Sequence, residues 1–336
     1  MSESVWELAD LITPMAVRVA ATLRVADHIT AGRRTAREIA AAADAHPDAL
    51  ERVMRHLVTV GVLTGDGRGG FGLTELGEQL TDDHPAGMRQ WIDLTGAVGR
   101  ADECLVDLLH TVRTGEPAFP HRFGASFWDD LAADPARSAG FDALMGHHTA
   151  SDSGGVADAY DWGSLGSVVD VGGGNGALLC SLLARHAALR GTVLDLPAPA
   201  AAARKALRDN GFADRADALE GSFFDAVPSG AGGYLLSFVI HDWNDDDARA
   251  ILRRCAQAIG DDGAAGAVFL IEGIGDDGDS PSTEMDLRML AYANGKERTL
   301  GEYAALAGDV GLAVARVHPA GDASVIELRP ERRQPR

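Results

Sequence analysis

His241, Glu272 and Glu297 are the residues whose types and placement suit proton transfer. His241 lies where the apolar run Gly233-Tyr-Leu-Leu-Ser-Phe-Val-Ile240 turns polar and aromatic, at His241-Asp-Trp243. Glu272 closes the run Gly266-Ala-Val-Phe-Leu-Ile271, and Glu297 sits in the polar turn Asn294-Gly-Lys-Glu-Arg-Thr299. A histidine flanked by carboxylates is what a general base requires. One carboxylate accepts from Nδ1–H and fixes the tautomer, which leaves Nε2 to take a proton. The plain alternative is that His241 caps the next helix or bonds to Asp242, with the two glutamates as solvated surface groups.

Such groups work only if a scaffold gathers them. The stretch Ser167-Val-Val-Asp-Val-Gly-Gly-Gly-Asn-Gly176 supplies its centre. Val168, Val169 and Val171 read as a buried parallel strand. Glycines end the strand, and the apolar helix Ala177-Leu-Leu-Cys-Ser-Leu-Leu-Ala184 follows. This is the first strand-turn-helix unit of a doubly wound α/β sheet, in which ligands sit beyond the carboxyl ends of the strands. Glycine lets the backbone approach a ligand closely, and the next helix presents free N–H groups. Two cofactors fit. Gly172-x-Gly174-x-x-Ala177 matches a dinucleotide pattern, whereas Asp170-x-Gly172-x-Gly174-x-Gly176 resembles the first motif of class I S-adenosylmethionine (SAM) methyltransferases. A tight packing turn is the bland reading. Asp195, closing the strand Gly191–Leu196, can hold ribose hydroxyls in either case.

With 336 residues the chain is long enough for two domains or one large one. Its formal net charge is −20, which argues against nucleic acid as a partner, because phosphate binding needs clustered Lys and Arg. Cys104, Cys180 and Cys255 show no metal spacing and point to a reduced, cytoplasmic protein. No metal and no membrane partner are expected. The start carries no signal-peptide pattern, and no apolar run approaches a membrane span.

Residues 1–95 read as a helical, winged-helix-like module. Val5–Ile29 has helical periodicity, broken once at Pro14. Its apolar residues, among them Leu8, Leu11, Ile12, Met15, Val19 and Leu23, cover more than one stripe. A helix apolar on several sides must be buried on several sides, so a homodimer contact is expected. Thr35-Ala-Arg-Glu38 is a capping box, Pro47 opens a second helix, and Val62-Leu63 with Phe71-Gly-Leu73 form a small hairpin. DNA binding and dimerisation both use such modules. Glu38, Asp44, Asp48, Glu51, Asp66, Glu75 and Glu78 make this one a poor phosphate clamp, which favours dimerisation.

Residues 96–159 read as a helical linker with aromatic and methionine insertions, including Phe127, Trp128, Phe141 and Met145. They either pack as plain core or wall a substrate pocket. His147-His148 is a pocket candidate, and metal ligation by that pair is the remote option. From 160 to 336 the α/β alternation is regular. Gly275–Pro281 reads as an acidic, glycine-rich loop, and a hairpin around Ala313–Val317 and Ala323–Leu328 closes the sheet edge. Trp243 either covers an adenine face or belongs to the core.

Taken together, Asp170–Gly176, Val193-Leu-Asp-Leu-Pro197, Gly221-Ser-Phe-Phe224, Leu236–Trp243 and Gly295-Lys-Glu-Arg-Thr299 resemble the SAM-dependent small-molecule O-methyltransferases of the caffeic acid type and their bacterial polyketide relatives. Thr13-Pro-Met15, Ala20-Ala-Thr-Leu-Arg24 and Asp286-Leu-Arg-Met-Leu290 are similar to the anthracycline (carminomycin-type) 4-O-methyltransferases. The resemblance spans nearly the whole chain. It implies a class I Rossmann-like catalytic domain with SAM as cofactor. Asp170, Gly172, Gly174 and Gly176 would surround the methionine end, and Asp195 with Leu196 the ribose. Ser222, Phe223 and Trp243 would lie by the adenine, and Ser237 near the methionine part. His241 would be the base, with Glu272 and Glu297 beside it. Met145, His148, Asp242, Met289, Tyr292 and Asn294 would line the pocket of an aromatic polyketide or anthraquinone-like phenol. Two departures stand out: the family often has Asp where Ser222 stands, and the anthracycline enzymes lack the base His and second Glu that this chain has. The implied reaction is direct methyl transfer to a phenol, which needs no metal. The alternatives are a SAM-binding relative that does not methylate (a hydroxylase or decarboxylase), a nicotinamide-dependent oxidoreductase, and a ligand-sensing winged-helix regulator.

Overall fold

The computed structural model describes residues 4–260, 266–274 and 282–331, with the side chains of 147–154 outside that set. The expected loop Gly275–Pro281 and pocket role of His148 therefore lie outside the described residues. The chain forms two compact units, Met1–Glu103 and Cys104–Arg336.

The first unit opens with α1 (Val5–Leu8), α2 (Ile12–Thr22) and α3 (Val25–Thr30). The single helix expected over Val5–Ile29, broken at Pro14, is thus three helices, and Pro14 breaks none of them. It falls in the first turn of α2, where a missing N–H leaves no bond unmade. The interruptions come earlier, where Asp10 accepts from Ile12 N at 3.0 Å and Thr13 N at 3.0 Å, and later, where Arg24 adopts φ 53°. α4 (Ala36–Ala42) starts at the expected Thr35–Glu38 capping box. α5 (Pro47–Thr59) starts at His46, whose side chain accepts from Ala49 N. β1 (Leu63–Gly65) and β2 (Phe71–Leu73) pair antiparallel. The short helices α6 (Glu75–Glu78), α7 (Met88–Ile92) and α8 (Ala97–Asp102) complete the unit. Ile29, Ile39, Met54 and Leu57 are its buried centre.

The second unit runs through α9 (Leu108–Thr114), α10 (Ala118–Phe123), α11 (Phe127–Ala133) and the long α12 (Pro135–Ala159). The alternation follows: β3 (Ser167–Val171), α13 (Ala177–Arg185), β4 (Arg190–Asp195), α14 (Pro197–Asp209), β5 (Ala216–Glu220), β6 (Gly233–Ser237), α15 (Asp245–Ile259) and β7 (Ala267–Glu272). α16 (Thr283–Ala293), α17 (Leu300–Gly308), β8 (Leu312–Ala320) and β9 (Ala323–Pro330) close it. Among the described residues the sheet has the order β5-β4-β3-β6-β7-β9-β8. β5 to β7 are parallel, and β9 enters antiparallel beside β7 with β8 outside it. The expected terminal hairpin thus caps one edge.

Period-two alternation divides the core between the two faces of the sheet. Val169, Leu236 and Leu270 face Ile251, Leu252 and Cys255 of α15. Val168, Leu235 and Phe269 face Leu179 and Leu182 of α13 and Leu207 of α14. Both faces are covered, which is why the parallel strands read as continuous apolar runs. The order in which strands are added reverses between β3 and β6, and the carboxyl ends of the parallel strands β3, β4, β6 and β7 deliver Val171, Asp195, Ser237 and Glu272 to one rim. In such sheets that rim is the ligand site.

Candidate active site

The turn after β3 forms a cradle of backbone. Gly172 and Gly174 adopt φ of 71° and 56°, values that side-chain-bearing residues rarely hold. A Cβ on Gly172 would also stand 3.0 Å from Val239 Cγ2 and 3.4 Å from Phe223 Cε1. Asp195, at the end of β4, ties the cradle down. Its Oδ2 accepts from Gly174 N at 2.8 Å, and its Oδ1 from Leu196 N at 2.7 Å. Burial raises the Asp195 pKa, and these two N–H donors oppose that rise. Leu196 caps α14 and remains about half exposed.

Asp170 is fully buried, and both its carboxylate oxygens lack a hydrogen-bond partner. Burial, then the Asp195 charge, pushes its pKa up to about 7. A third acid, Asp142 of α12, joins them. Burial and the Asp195 charge push it up to about 6. The Asp142 carbonyl accepts from Asn175 Nδ2 at 2.9 Å, which ties α12 to the cradle. One buried acid with orphaned oxygens and two half-buried ones, beside a glycine turn, fit a ligand that carries hydroxyls and a positive charge. Sequence reasoning missed Asp142, because nothing in the helix around it signals the glycines 33 positions later.

The base candidates meet at the ends of β6 and β7. His241 lies in the 3-10 turn Ile240–Asp242. Its Nδ1 is 2.7 Å from Glu297 Oε1, and its Nε2 is 3.5 Å from Asp242 Oδ1. His241 does not cap the next helix, because Asn244 caps α15 by accepting from Asp246 N and Asp247 N; the ring does pair with Asp242, although Glu297 is the closer carboxylate. Glu272 and Glu297 are both buried rather than surface groups. Glu272 Oε1 accepts from Ile240 N at 3.1 Å, and its other oxygen has no partner. Glu297 N donates to Asp286 Oδ1 at 2.9 Å.

Burial disfavours the imidazolium, yet Asp242, Glu272 and Glu297 outweigh it and push the His241 pKa up to about 10. Burial raises Glu272 to about 7 and Asp242 to about 6. The folded His241 pKa exceeds its ordinary value of about 6.5, so its contribution to stability is full below that value and is lost as pH rises toward 10. Glu297→Gln removes one anion. An NMR titration of the His241 ring should then show a lower pKa than wild type, and an unchanged value would detach Glu297 from the ring's electrostatics.

The remaining predicted residues fall into an aromatic wall and a helix end. Ser222 Oγ accepts from Phe224 N at 3.2 Å. Phe223 meets the Trp243 ring edge-on at 5.9 Å, and Trp243 stacks on Trp128 at 6.2 Å. Ser237 ends β6, half-buried. Tyr292 stacks on Phe127 at 6.0 Å, and Phe127 packs edge-on against Phe141. Met289 is buried beside Tyr292 on α16, Asn294 ends that helix at φ 59°, and Met145 of α12 is half-buried. Among the described residues, no cluster of His, Cys, Asp and Glu could hold a metal ion. No helix there is long and apolar enough to cross a membrane.

A parallel sheet with a glycine cradle at its first turn, an acid at its second strand end and a His–carboxylate pair on the same rim defines a class I transferase fold. Residues 105–313 match the O-methyltransferase domain, and residues 6–83 match the O-methyltransferase dimerisation domain. This chain belongs to the O-methyltransferase family. It is 58% identical over 321 residues, 96% of each chain, to a 2,7-dihydroxy-5-methyl-1-naphthoate 7-O-methyltransferase of Streptomyces carzinostaticus. It is 46% identical to an aclacinomycin 10-hydroxylase of Streptomyces purpurascens, over 95% of this chain and 86% of the other. Its structure matches that of an O-methyltransferase from neocarzinostatin biosynthesis in complex with SAM and 2-hydroxy-5-methyl naphthoic acid. That match has a TM-score of 0.94 and 56% identity, and it covers 98% of this chain and 99% of the other.

Proposed function

We propose that this chain is a SAM-dependent O-methyltransferase that methylates a phenolic hydroxyl of an aromatic polyketide or anthraquinone-like compound, with His241 as general base. The observation that carries the reading is the 2.7 Å contact of His241 Nδ1 with Glu297 Oε1 on the same sheet rim as the glycine cradle. Bound SAM supplies an electrophilic methyl group and a positive charge. Gly172, Gly174 and Gly176 leave room for its methionine end, and Asp170 offers two free carboxylate oxygens to a cation. Asp195 and Leu196 hold the ribose. Ser222, Phe223 and Trp243 flank the adenine, and Ser237 lies near the methionine part. Met145, Asp242, Met289, Tyr292 and Asn294 form the substrate side, where the aromatic walls suit a planar ring.

Glu297 holds Nδ1–H and so aims the Nε2 lone pair at the substrate. Nε2 takes the phenol proton as the oxygen attacks. A phenol has an ordinary pKa of about 10 and is mostly neutral at pH 7, so this transfer contributes roughly 10²–10⁴ in rate. Because the carboxylates raise the His241 pKa, the proton it already holds must leave first. kcat/KM should therefore climb as pH rises above neutral.

The hydroxylase relative supports a second reading, in which SAM is bound but no methyl is transferred. The paired His241 and Glu297 favour methylation. The test is a reaction with SAM and a panel of hydroxynaphthoates and hydroxyanthraquinones, read by mass spectrometry, beside thermal shifts with SAM, S-adenosylhomocysteine and NADH. A methyl ether product and stabilisation by SAM are expected. A product that gains oxygen instead, or stabilisation by NADH alone, would overturn the reading.

The protein works as a homodimer built by its N-terminal helices. Val5, Trp6, Leu8, Leu11 and Ile12 are each more than 60% exposed, and apolar surface of that kind marks an interface. Its cysteines are free thiols, which suits the reducing cytoplasm. Light scattering should give a dimer at micromolar concentration and a monomer after removal of residues 1–30. A monomeric full-length chain would contradict the assignment.

A further inference from the structure

Arg298 is completely buried, yet each N–H of its guanidinium has an acceptor. Nε and Nη2 donate to Asp245 Oδ1 at 3.1 and 2.9 Å. Nη2 also donates to the Trp243 carbonyl at 2.7 Å. Nη1 donates to the Ile240 and Lys296 carbonyls at 3.0 and 3.1 Å. Ile240 and Trp243 flank the turn that carries His241. Within that turn, the His241 carbonyl accepts from Lys296 N at 2.8 Å, and the His241 ring meets Glu297. Three consecutive residues thus grip one histidine: Lys296 by its backbone, Glu297 by its carboxylate and Arg298 at both ends of the turn. The approach depends on Gly295, because a Cβ there would lie 2.3 Å from the His241 carbonyl oxygen.

We propose that Arg298 is the positioning residue of the base: it fixes the turn Ile240–Trp243 so that Nδ1 of His241 stays on Glu297 and Nε2 stays aimed at the substrate. The proposal rests on the reading of His241 as base. A planar fork of five donors spans three carbonyls and a carboxylate at once. A lysine keeps the charge but gathers its donors at one point, so it can satisfy only part of this set. Without the clamp the turn can shift, and small displacements of a reacting group cost large factors in rate.

The test compares wild type, Arg298→Lys, Asp245→Ala and His241→Ala for kcat, for SAM affinity by calorimetry and for the pH dependence of kcat/KM. Arg298→Lys should lower kcat by about tenfold or more and lower SAM affinity by a smaller factor, since the same clamp also holds the Trp243 carbonyl. It should also move the limb of the pH profile to lower pH, because a misplaced ring loses contact with Glu297 among the three carboxylates that face it, Asp242, Glu272 and Glu297. A purely structural role would lower stability without moving that limb. Asp245→Ala, which removes the half-exposed acceptor, should move the same quantities in the same direction by less, and it decides the matter if Arg298→Lys does not fold. A folded Arg298→Lys, or failing that Asp245→Ala, with wild-type kcat and limb overturns the proposal. His241→Ala separates the failures. If it keeps the wild-type rate, the base reading falls and this proposal with it. If it loses the rate while the clamp variants do not, only the role of Arg298 is lost.

Discussion

His241→Ala is expected to lower kcat at pH 7 by about 10²-fold or more, with SAM affinity unchanged. In free energy this is about 2.7 kcal/mol or more of transition-state stabilisation. The ring sits between Glu297 at 2.7 Å and Asp242 at 3.5 Å, so its loss removes the one group there able to take a proton and become a cation. In the proposed site SAM does not use the ring, and the effect is therefore expected in kcat. The deficit should narrow as pH approaches the substrate's own pKa, because an ionised phenol needs no base. Glu297→Gln should cost less than His241→Ala, since it orients the ring and transfers nothing, and its pH limb should lie below that of wild type. The deciding measurement is the pH–rate profile of wild type and His241→Ala on one phenolic substrate. If the mutant keeps more than about a third of the wild-type rate at pH 7, far outside the general-base range, alignment of the reactants carries the reaction.

Asp195→Ala is expected to weaken SAM binding by about 10- to 150-fold, the equivalent of roughly 1.5–3 kcal/mol for a hydrogen-bonded charged group. Two losses combine. In the proposed site the ribose hydroxyls lose their acceptor, and Gly174 N loses the 2.8 Å bond that holds the cradle closed. Removing this charge also relieves Asp170 and Asp142, whose pKa values the Asp195 charge helps to raise. Their titration should move to lower pH in the variant. Calorimetry on both proteins checks the affinity, and an unchanged SAM affinity would remove Asp195 from the site.

Much of this site was legible because its signals are local. A strand that ends in glycines, an acid closing the next strand and a histidine at the end of a third each carry their own pattern. The capping box at Thr35 and the terminal hairpin were legible for the same reason. The reading of Pro14 as a break went wrong because proline's effect depends on its place in a helix, which periodicity does not mark. Trp243 could be read two ways, and its packing on Trp128 and Phe223 joins rings 115 and 20 positions away in the chain.

The amino-acid sequence by itself determined the order of strands and helices, the glycine turn and which residues are candidates to bind SAM and move a proton, because these follow from side-chain type and short-range periodicity. Only the tertiary structure decided which carboxylate lies closest to His241, that Asp142 joins Asp170 and Asp195, and that Arg298 bonds to both ends of the turn of His241. Those are contacts between residues 21 to 58 positions apart. They exist because burial brings the ends of separate strands to one rim, and burial likewise sets the pKa values there, since it removes the water that would screen these charges from one another.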